Sequence, residues 1–347
     1  MKPGAGCVAK MPALGLESLL GKAYGTVFGQ NFAHPMHQPD DCYALPTERG
    51  RLLVTTDFGP LVGTTTLDAG RIAALHAMSD IYASGGVPKW ALAILILDGK
   101  DSNSESDFGE QLLGSLIQTC REEAVEIQGG HTVLGSETMI GLTVIGTPRN
   151  GVVLRKLGGK IGDHLLLSKP VGLGIMIKAR QLDLIGNEEF GEALRHIRTS
   201  NKEASRYAVE AKVNASTDVS GFGLLGHLSE MLGPDQGATL NLQKIPILDR
   251  IADLPEGIGC TLADGNLWYV RSRFRLVGFQ ETSRFYPLAD PQTNGGLLVA
   301  ATAETAARLA DKGFHDIGCI TGSNTIEILD PEAGTAIQEH SEDTKHD

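Results

Sequence analysis

Apolar and polar positions alternate along this chain in blocks whose period keeps changing. Leu52, Leu53 and Val54, followed by Thr55 and Thr56, form a short β-branched and apolar run that predicts a buried strand. Asp57 falls where that strand is expected to end, and Gly59-Pro60 is expected to turn the chain. The spacing then shifts to threes and fours, which predicts a helix with Asp68 as N-cap and Gly85-Gly86 as its stop. Counted from Asp80, the residues Ala73, His76, Ala77, Ala83 and Ser84 share a face, and most are small. Ile72, Leu75, Ile81 and Tyr82 supply apolar packing. No lysine or arginine lies near Asp80 in sequence. A half-buried carboxylate without a partner is costly, so either a distant base or a bound cation is expected to compensate it.

The same reading extends in both directions. Before the central stretch, only 14–20 has helical spacing, and the prolines of HPMHQPDD oppose regular structure. After it come a strand over 90–97, a helix over about 106–125, a short strand ending at GGHT (129–132) and a strand over 139–146. A boundary is expected within 148–162, which is glycine-rich and basic. Beyond it the pattern gives a strand at 165–167, a helix opening at Gly172, helices over 188–196 and 201–212, and an extended 214–218. SGFGLLGHLSEML then reads as a helix capped by Gly233, and 239–247 as a strand. The stretch 249–284 has no clear period. A strand at 297–301, a helix at 303–312 and strands near 317–320 and 325–329 follow, and the charged tail is expected to be disordered.

With 347 residues the chain is long enough for two domains, and alternating strands and helices make it α/β. The net charge of −12, with no basic stripe, argues against nucleic acid as a partner. Five cysteines are scattered without a CxxC pair, so neither a zinc site nor a disulfide framework is indicated. No signal-peptide core or membrane-spanning stretch is visible, and a cytoplasmic, membrane-free protein is expected.

Four acids stand out. Asp41, Asp57 and Asp218 each sit in or beside a short extended segment next to small residues, and Asp80 faces inward from a helix. Mg²⁺ prefers carboxylates plus substrate phosphates, and convergent acids without nearby bases suit it; N-capping is the plain alternative for any one of them. GFGLLG (221–226) has the glycine spacing of a dinucleotide fingerprint but lacks its strand and acidic partner. No Walker-type GxxxxGK[ST] is present. The Gly129-Gly130-His131-Thr132 turn could offer backbone N–H groups to phosphate. Cys7 lies in GAGCVAK with Lys10 three residues on; it reads either as an accessible thiol biased to thiolate or as an incidental small residue. His227 reads as a structural histidine.

Taken together, GAGCVAK, PDD, TTDFGP, GRIAALHAMSDIYASGG, GGHT, LLLSKPVGLG, NASTDVSGFGLLGHLSEM and DPQTNGGLL resemble the selenophosphate synthetases (selenide, water dikinases) of the aminoimidazole ribonucleotide synthetase superfamily. The resemblance covers nearly the whole chain. It implies a two-domain fold in which the N-terminal sheets of two subunits pair into a barrel across a homodimer. Its expected divisions are a glycine-rich lid over 1–38, an ATP- and Mg²⁺-binding dimerisation domain over 39–150, a C-terminal α/β domain over 151–335 and a tail over 336–347. It implies that Cys7 and Lys10 are catalytic and that Asp41, Asp57, Asp80 and Asp218 hold metal. Lys10, Asp40, Asp57, Asp80, Gly130, His131 and Thr132 would contact the nucleotide. ATP is the implied substrate, with Mg²⁺ and room for a monovalent cation. Selenide would arrive free or from a selenium-delivery protein, and selenophosphate, AMP and orthophosphate would leave.

The chain departs from that pattern in places. His76 stands where the family usually has Asn, and Ala9 where a second Cys is frequent. Gly59-Pro60 and Thr64-Thr65-Thr66 replace a bulkier, more acidic stretch. These departures leave two other readings: a divergent paralogue phosphorylating another acceptor, or a non-catalytic ATP-binding regulator.

Overall fold

The computed structural model describes residues 11, 13–28, 40–99, 107–255, 257–258 and 260–330. A helix α1 (Ala13–Phe28) comes first. The first half then builds a five-stranded sheet in the order β1-β2-β5-β3-β4. Its strands are β1 (Tyr43–Thr47), β2 (Gly50–Pro60), β3 (Gly86–Asp98), β4 (Glu126–Gly135) and β5 (Met139–Pro148). Neighbours are antiparallel except β3 and β4, which are parallel and joined through a helix, as a parallel crossover requires. That helix is α3 (Phe108–Glu122), which packs beside α2 (Thr66–Ala83) on one face of the sheet.

Period-two alternation decides which residues face the helices. Ile140, Leu142 and Val144 of β5, with Leu53 of β2 and Ala91 and Leu95 of β3, are buried with Met78, Ile81, Leu112 and Leu116 of the two helices. Side chains of this size contribute roughly 2 kcal/mol each when buried. The opposite face carries Phe58, Trp90, Leu92 and Val133, all exposed.

The second half forms a seven-stranded sheet in the order β7-β10-β6-β11-β8-β12-β9. The strands are β6 (His164–Leu167), β7 (Ala215–Asp218), β8 (Gly237–Asn241), β9 (Arg275–Val277), β10 (Leu297–Ala301), β11 (His315–Thr321) and β12 (Thr325–Leu329). The helices are α4 (Leu173–Gln181), α5 (Asn187–Ile197), α6 (Lys202–Ala211), α7 (Gly223–Met231), α8 (Cys260–Arg271) and α9 (Ala303–Ala310). Leu165, Leu167 and Leu298 pack toward α7 and α8, whereas Leu166, Leu297 and Val299 pack toward α6 and α9. Both faces of the central strands are therefore covered, which is why they read as unbroken apolar runs.

Several expectations change. β2 runs on through Asp57 to Pro60, because Asp57 and Pro60 are held in register with Leu142 and Met139 of β5. Asp57 is thus an interior strand residue, and Gly59-Pro60 closes the strand instead of turning it. Thr65, not Asp68, caps α2: its side chain accepts from the Asp68 N–H, while the hydroxyls of Thr64 and Thr65 donate to the Asp68 carboxylate. β3 begins directly at Gly86, four residues before the expected start. β4 does not end at GGHT but carries it as part of a ten-residue edge strand. α1 is 16 residues long, well beyond the expected turn or two. β8 ends at Asn241, with a 3₁₀ turn over Leu242–Lys244, and α7 ends at Met231 with Leu232, not Gly233, as its C-cap. The unassigned 249–284 contains α8 and β9. Gly85 at the end of α2 is the expected stop: its φ is +74°, and a Cβ there would lie 2.9 Å from Val209.

Candidate active site

Residues 55 and 57 lie two apart on β2, about 6.7 Å by strand geometry, and residues 80 and 76 lie four apart on α2, about 6 Å by helix geometry. The two spacings match, so the strand pair meets the helix pair. Thr55 Oγ1 donates to Asp80 Oδ2 at 2.5 Å, and Asp57 Oδ2 lies 3.4 Å from His76 Nε2. Asp80 is therefore held against the helix-facing side of β2.

Two further carboxylates converge on it. Asp218 ends β7, where it pairs with Leu297 of β10, and Asp41 immediately precedes Cys42 and β1. Ligand oxygens of Asp41, Asp80 and Asp218 all lie within 4.8 Å of one another. Ser79 donates to Asp218 Oδ2 at 2.7 Å, and Asn201 donates to Ser79 at 2.9 Å. Thr217 donates to Asp41 Oδ1 at 3.0 Å. Asp218 Oδ1 is buried and has no hydrogen-bond partner.

Charge balance at the cluster is incomplete. Lys156 Nζ sits 2.9 Å from Asp41 Oδ1 and 2.8 Å from Glu230 Oε2, with all three side chains nearly inaccessible. His227 Nδ1 lies 3.4 Å from Glu230 Oε2. Burial alone would lower the Lys156 pKa, but the charges of Asp41 and Glu230 outweigh it and hold the ammonium protonated. Burial would raise Glu230, but Lys156 and the neighbouring His227 together override this and hold it down at about 2. With Lys156 shared, burial pushes Asp41 up to about 7, and the neighbouring Asp218 adds to the rise. Asp80 is raised by burial, then by the charges of Asp218, Asp41 and Asp57. Among the described residues no lysine or arginine pairs with Asp80 or Asp218. One buried and two partly buried acids, one shared ammonium and an orphaned carboxylate oxygen fit a hard divalent cation, which takes oxygen ligands and supplies positive charge.

Sequence-expected residues divide into three groups. Asp41, Asp80 and Asp218 meet, and Asp57 stands beside them through His76. Asp40 lies alongside but is engaged by the Arg155 guanidinium and by the Lys156 N–H. Gly130, His131 and Thr132 lie on β4, separated from β2 by β5 and β3, about 14 Å by strand spacing. Gly130 is glycine for a packing reason: an added Cβ would come within 2.2 Å of the Ala93 carbonyl. Cys7, Lys10, most of the proposed lid and the tail lie outside the described residues.

Sequence reading missed Lys156, Glu230, Thr55, Ser79, Thr217 and Asn201 as parts of this site. The basic run around Lys156 was the available signal; the hydroxyl residues carried none. Buried Lys169 is also close: its ammonium donates to the carbonyls of Thr199 and Asn294, and burial lowers its pKa to about 7 against the pull of Asp218.

Comparison with known proteins follows the same outline. The profile of AIR synthase related protein, N-terminal domain, matches residues 39–147, and that of the C-terminal domain matches 160–329. A selenide, water dikinase of Shewanella baltica is 34% identical over 311 residues, covering 89% of this chain and 87% of that protein. One from Aeromonas salmonicida is 33% identical over 337 residues, covering 94% and 96%. The solved structure of AaThiL complexed with AMPPCP and TMP superposes with a TM-score of 0.65 at 21% identity, covering 91% of this chain and 93% of that one. At that identity the likeness speaks for the fold.

Proposed function

The chain belongs to the AIR synthase related family, and from that premise we propose that it makes selenophosphate from ATP, selenide and water, releasing AMP and orthophosphate. The observation that carries this reading is the convergence of Asp41, Asp80 and Asp218 around an unpartnered carboxylate oxygen. Phosphoryl transfer demands positioning and charge neutralisation more than covalent work by the protein. Mg²⁺, when bound, would neutralise the triphosphate. Asp41, Asp80 and Asp218 would hold it, with Asp57 beside them. Thr55, Ser79 and Thr217 orient these carboxylates by donating to single oxygens, which leaves other lone pairs for ligands. Burial of the cluster limits water at the reacting phosphate, which favours selenide over hydrolysis in the first transfer. Lys10 would stabilise charge on the transferring group and Cys7 would bind or deliver selenium.

We also read the chain as a homodimer. The exposed apolar face of the five-stranded sheet supports this, as does the placement of Gly130, His131 and Thr132 far from their own chain's acids. A partner's copy of that strand would then reach the nucleotide.

Selenide-dependent AMP formation under anaerobic conditions tests the reading; Asp80→Asn and Asp218→Asn should each abolish it. One observation favours a second reading with another acceptor. A carbon-lined cavity of about 230 Å³ opens beside Asp57 and His76, between Pro60, Ile72 and Ile140. A selenide ion does not need that space. ATP turnover that ignores selenide but responds to an organic acceptor would favour it.

A further inference from the structure

The DPQTNGG segment of the second half reaches helix α2 through a backbone donor. The N–H of Asn294 donates to Nδ1 of His76 at 3.1 Å. A ring nitrogen that accepts carries no proton, so the neutral imidazole bears its proton on Nε2. That nitrogen lies 3.4 Å from Asp57 Oδ2, and the two side chains are only 10% and 13% exposed.

The donor is itself fixed. Asn294 adopts a left-handed backbone, with φ +49°. Its side-chain amide donates to the carbonyls of Ile197 at 2.6 Å and Thr199 at 3.0 Å. Its own carbonyl accepts from Lys169 at 2.9 Å. Turning the Asn294 N–H away from His76 would break contacts on three sides. The same segment is tied to the acid cluster through Asn201, which bridges Gly295 O and Ser79.

We propose that His76 is a positioning residue: held by Asn294 as the Nε2–H tautomer, it orients the Asp57 carboxylate beside Asp80, so that the fourth acid is set only when the second half is docked on the first. This deepens the functional reading above and rests on it, since it assumes that the acids serve a cation-bound nucleotide. The family's usual Asn could not span both contacts in the same way: its amide is shorter than the distance across an imidazole ring. Here one rigid ring joins a backbone donor in one half to a carboxylate in the other.

Two measurements test it. The ¹⁵N spectrum of the full chain labelled at histidine, with His76 assigned by its loss in His76→Gln, should show a neutral ring protonated on Nε2. A ring protonated on Nδ1, or on both nitrogens, overturns the proposal whatever the variants do. Mg²⁺-dependent binding of a non-hydrolysable ATP analogue, read by calorimetry, is the second. His76→Ala should weaken it at least about tenfold, the scale of removing the polar neighbour of a nearly buried carboxylate. His76→Gln, whose terminal amide reaches the place of Nε2, should recover most of that loss. In an Asp57→Asn background the His76→Ala effect should nearly vanish, because the two act as one unit. Binding within about twofold of wild type in His76→Ala, or full additivity with Asp57→Asn, overturns the proposal alone. Wild-type chain that binds no nucleotide refutes the functional reading itself and the proposal with it.

Discussion

Lys156 lies between two buried carboxylates, and removing it leaves both without their cation. Breaking a buried pair from one side costs about 3–5 kcal/mol, because the remaining charge is stranded. Lys156→Met should therefore lower the urea-unfolding free energy by about 3 kcal/mol or more, and a loss under about 1 kcal/mol would mean that Asp41 and Glu230 are compensated elsewhere. Asp41 adds a pH signature. Burial raises its pKa from 3.8 to about 7. Between those values the folded chain keeps a proton that the unfolded chain has released, so its stability falls as the pH rises through that window. A cation held by the same carboxylate displaces the proton and removes the penalty. Mg²⁺ should thus raise Tm more at about pH 8 than at about pH 5, and an equal or larger rise at the lower pH would contradict the assignment.

At the scale of elements, the site depends on β2 and α2 facing each other in register. The helix end is set by Thr65, and Thr65→Ala should cost about 1 kcal/mol, measured by denaturant unfolding, as the loss of an N-cap does; no change would show that Asp68 and its remaining threonine partner Thr64 fix the end alone. Much of this pairing was legible in sequence. The period shift from Leu53 to Asp80 marked a strand followed by a helix, and the inward face of Asp80 was readable from its small neighbours. What was not legible came from the sheet. Asp57 looked terminal because Gly59-Pro60 resembles a turn, yet β5 supplies pairing partners as far as Pro60. β4 looked short because its glycines break the propensity pattern, yet Gly130 is needed where the Ala93 carbonyl approaches. The hydroxyls that steer the acids were invisible, since a threonine in a strand has the same propensity whether or not it donates to a carboxylate. The aspartates themselves were identifiable because unpaired acids amid apolar residues are costly; Lys156 was overlooked because its partners lie 115 and 74 positions away.

At the scale of the whole molecule, two sheets are joined across a seam, and the acids lie along it. The outer face of the five-stranded sheet remains apolar, with Phe58 46% and Trp90 40% exposed. This is the face on which the proposed homodimer would associate. Trp90→Asp should convert a dimer into a monomer by size-exclusion chromatography with light scattering, and a wild-type chain that is already monomeric would refute the pairing. The most direct test of the site is anaerobic ³¹P NMR of the full chain with ATP, Mg²⁺ and selenide, for wild type and Asp80→Asn. The prediction is that wild type forms selenophosphate, AMP and orthophosphate in equal amounts while Asp80→Asn leaves ATP intact. ATP left unchanged by the wild type, or consumed as fast by the variant, would contradict the assignment of these aspartates to phosphoryl transfer.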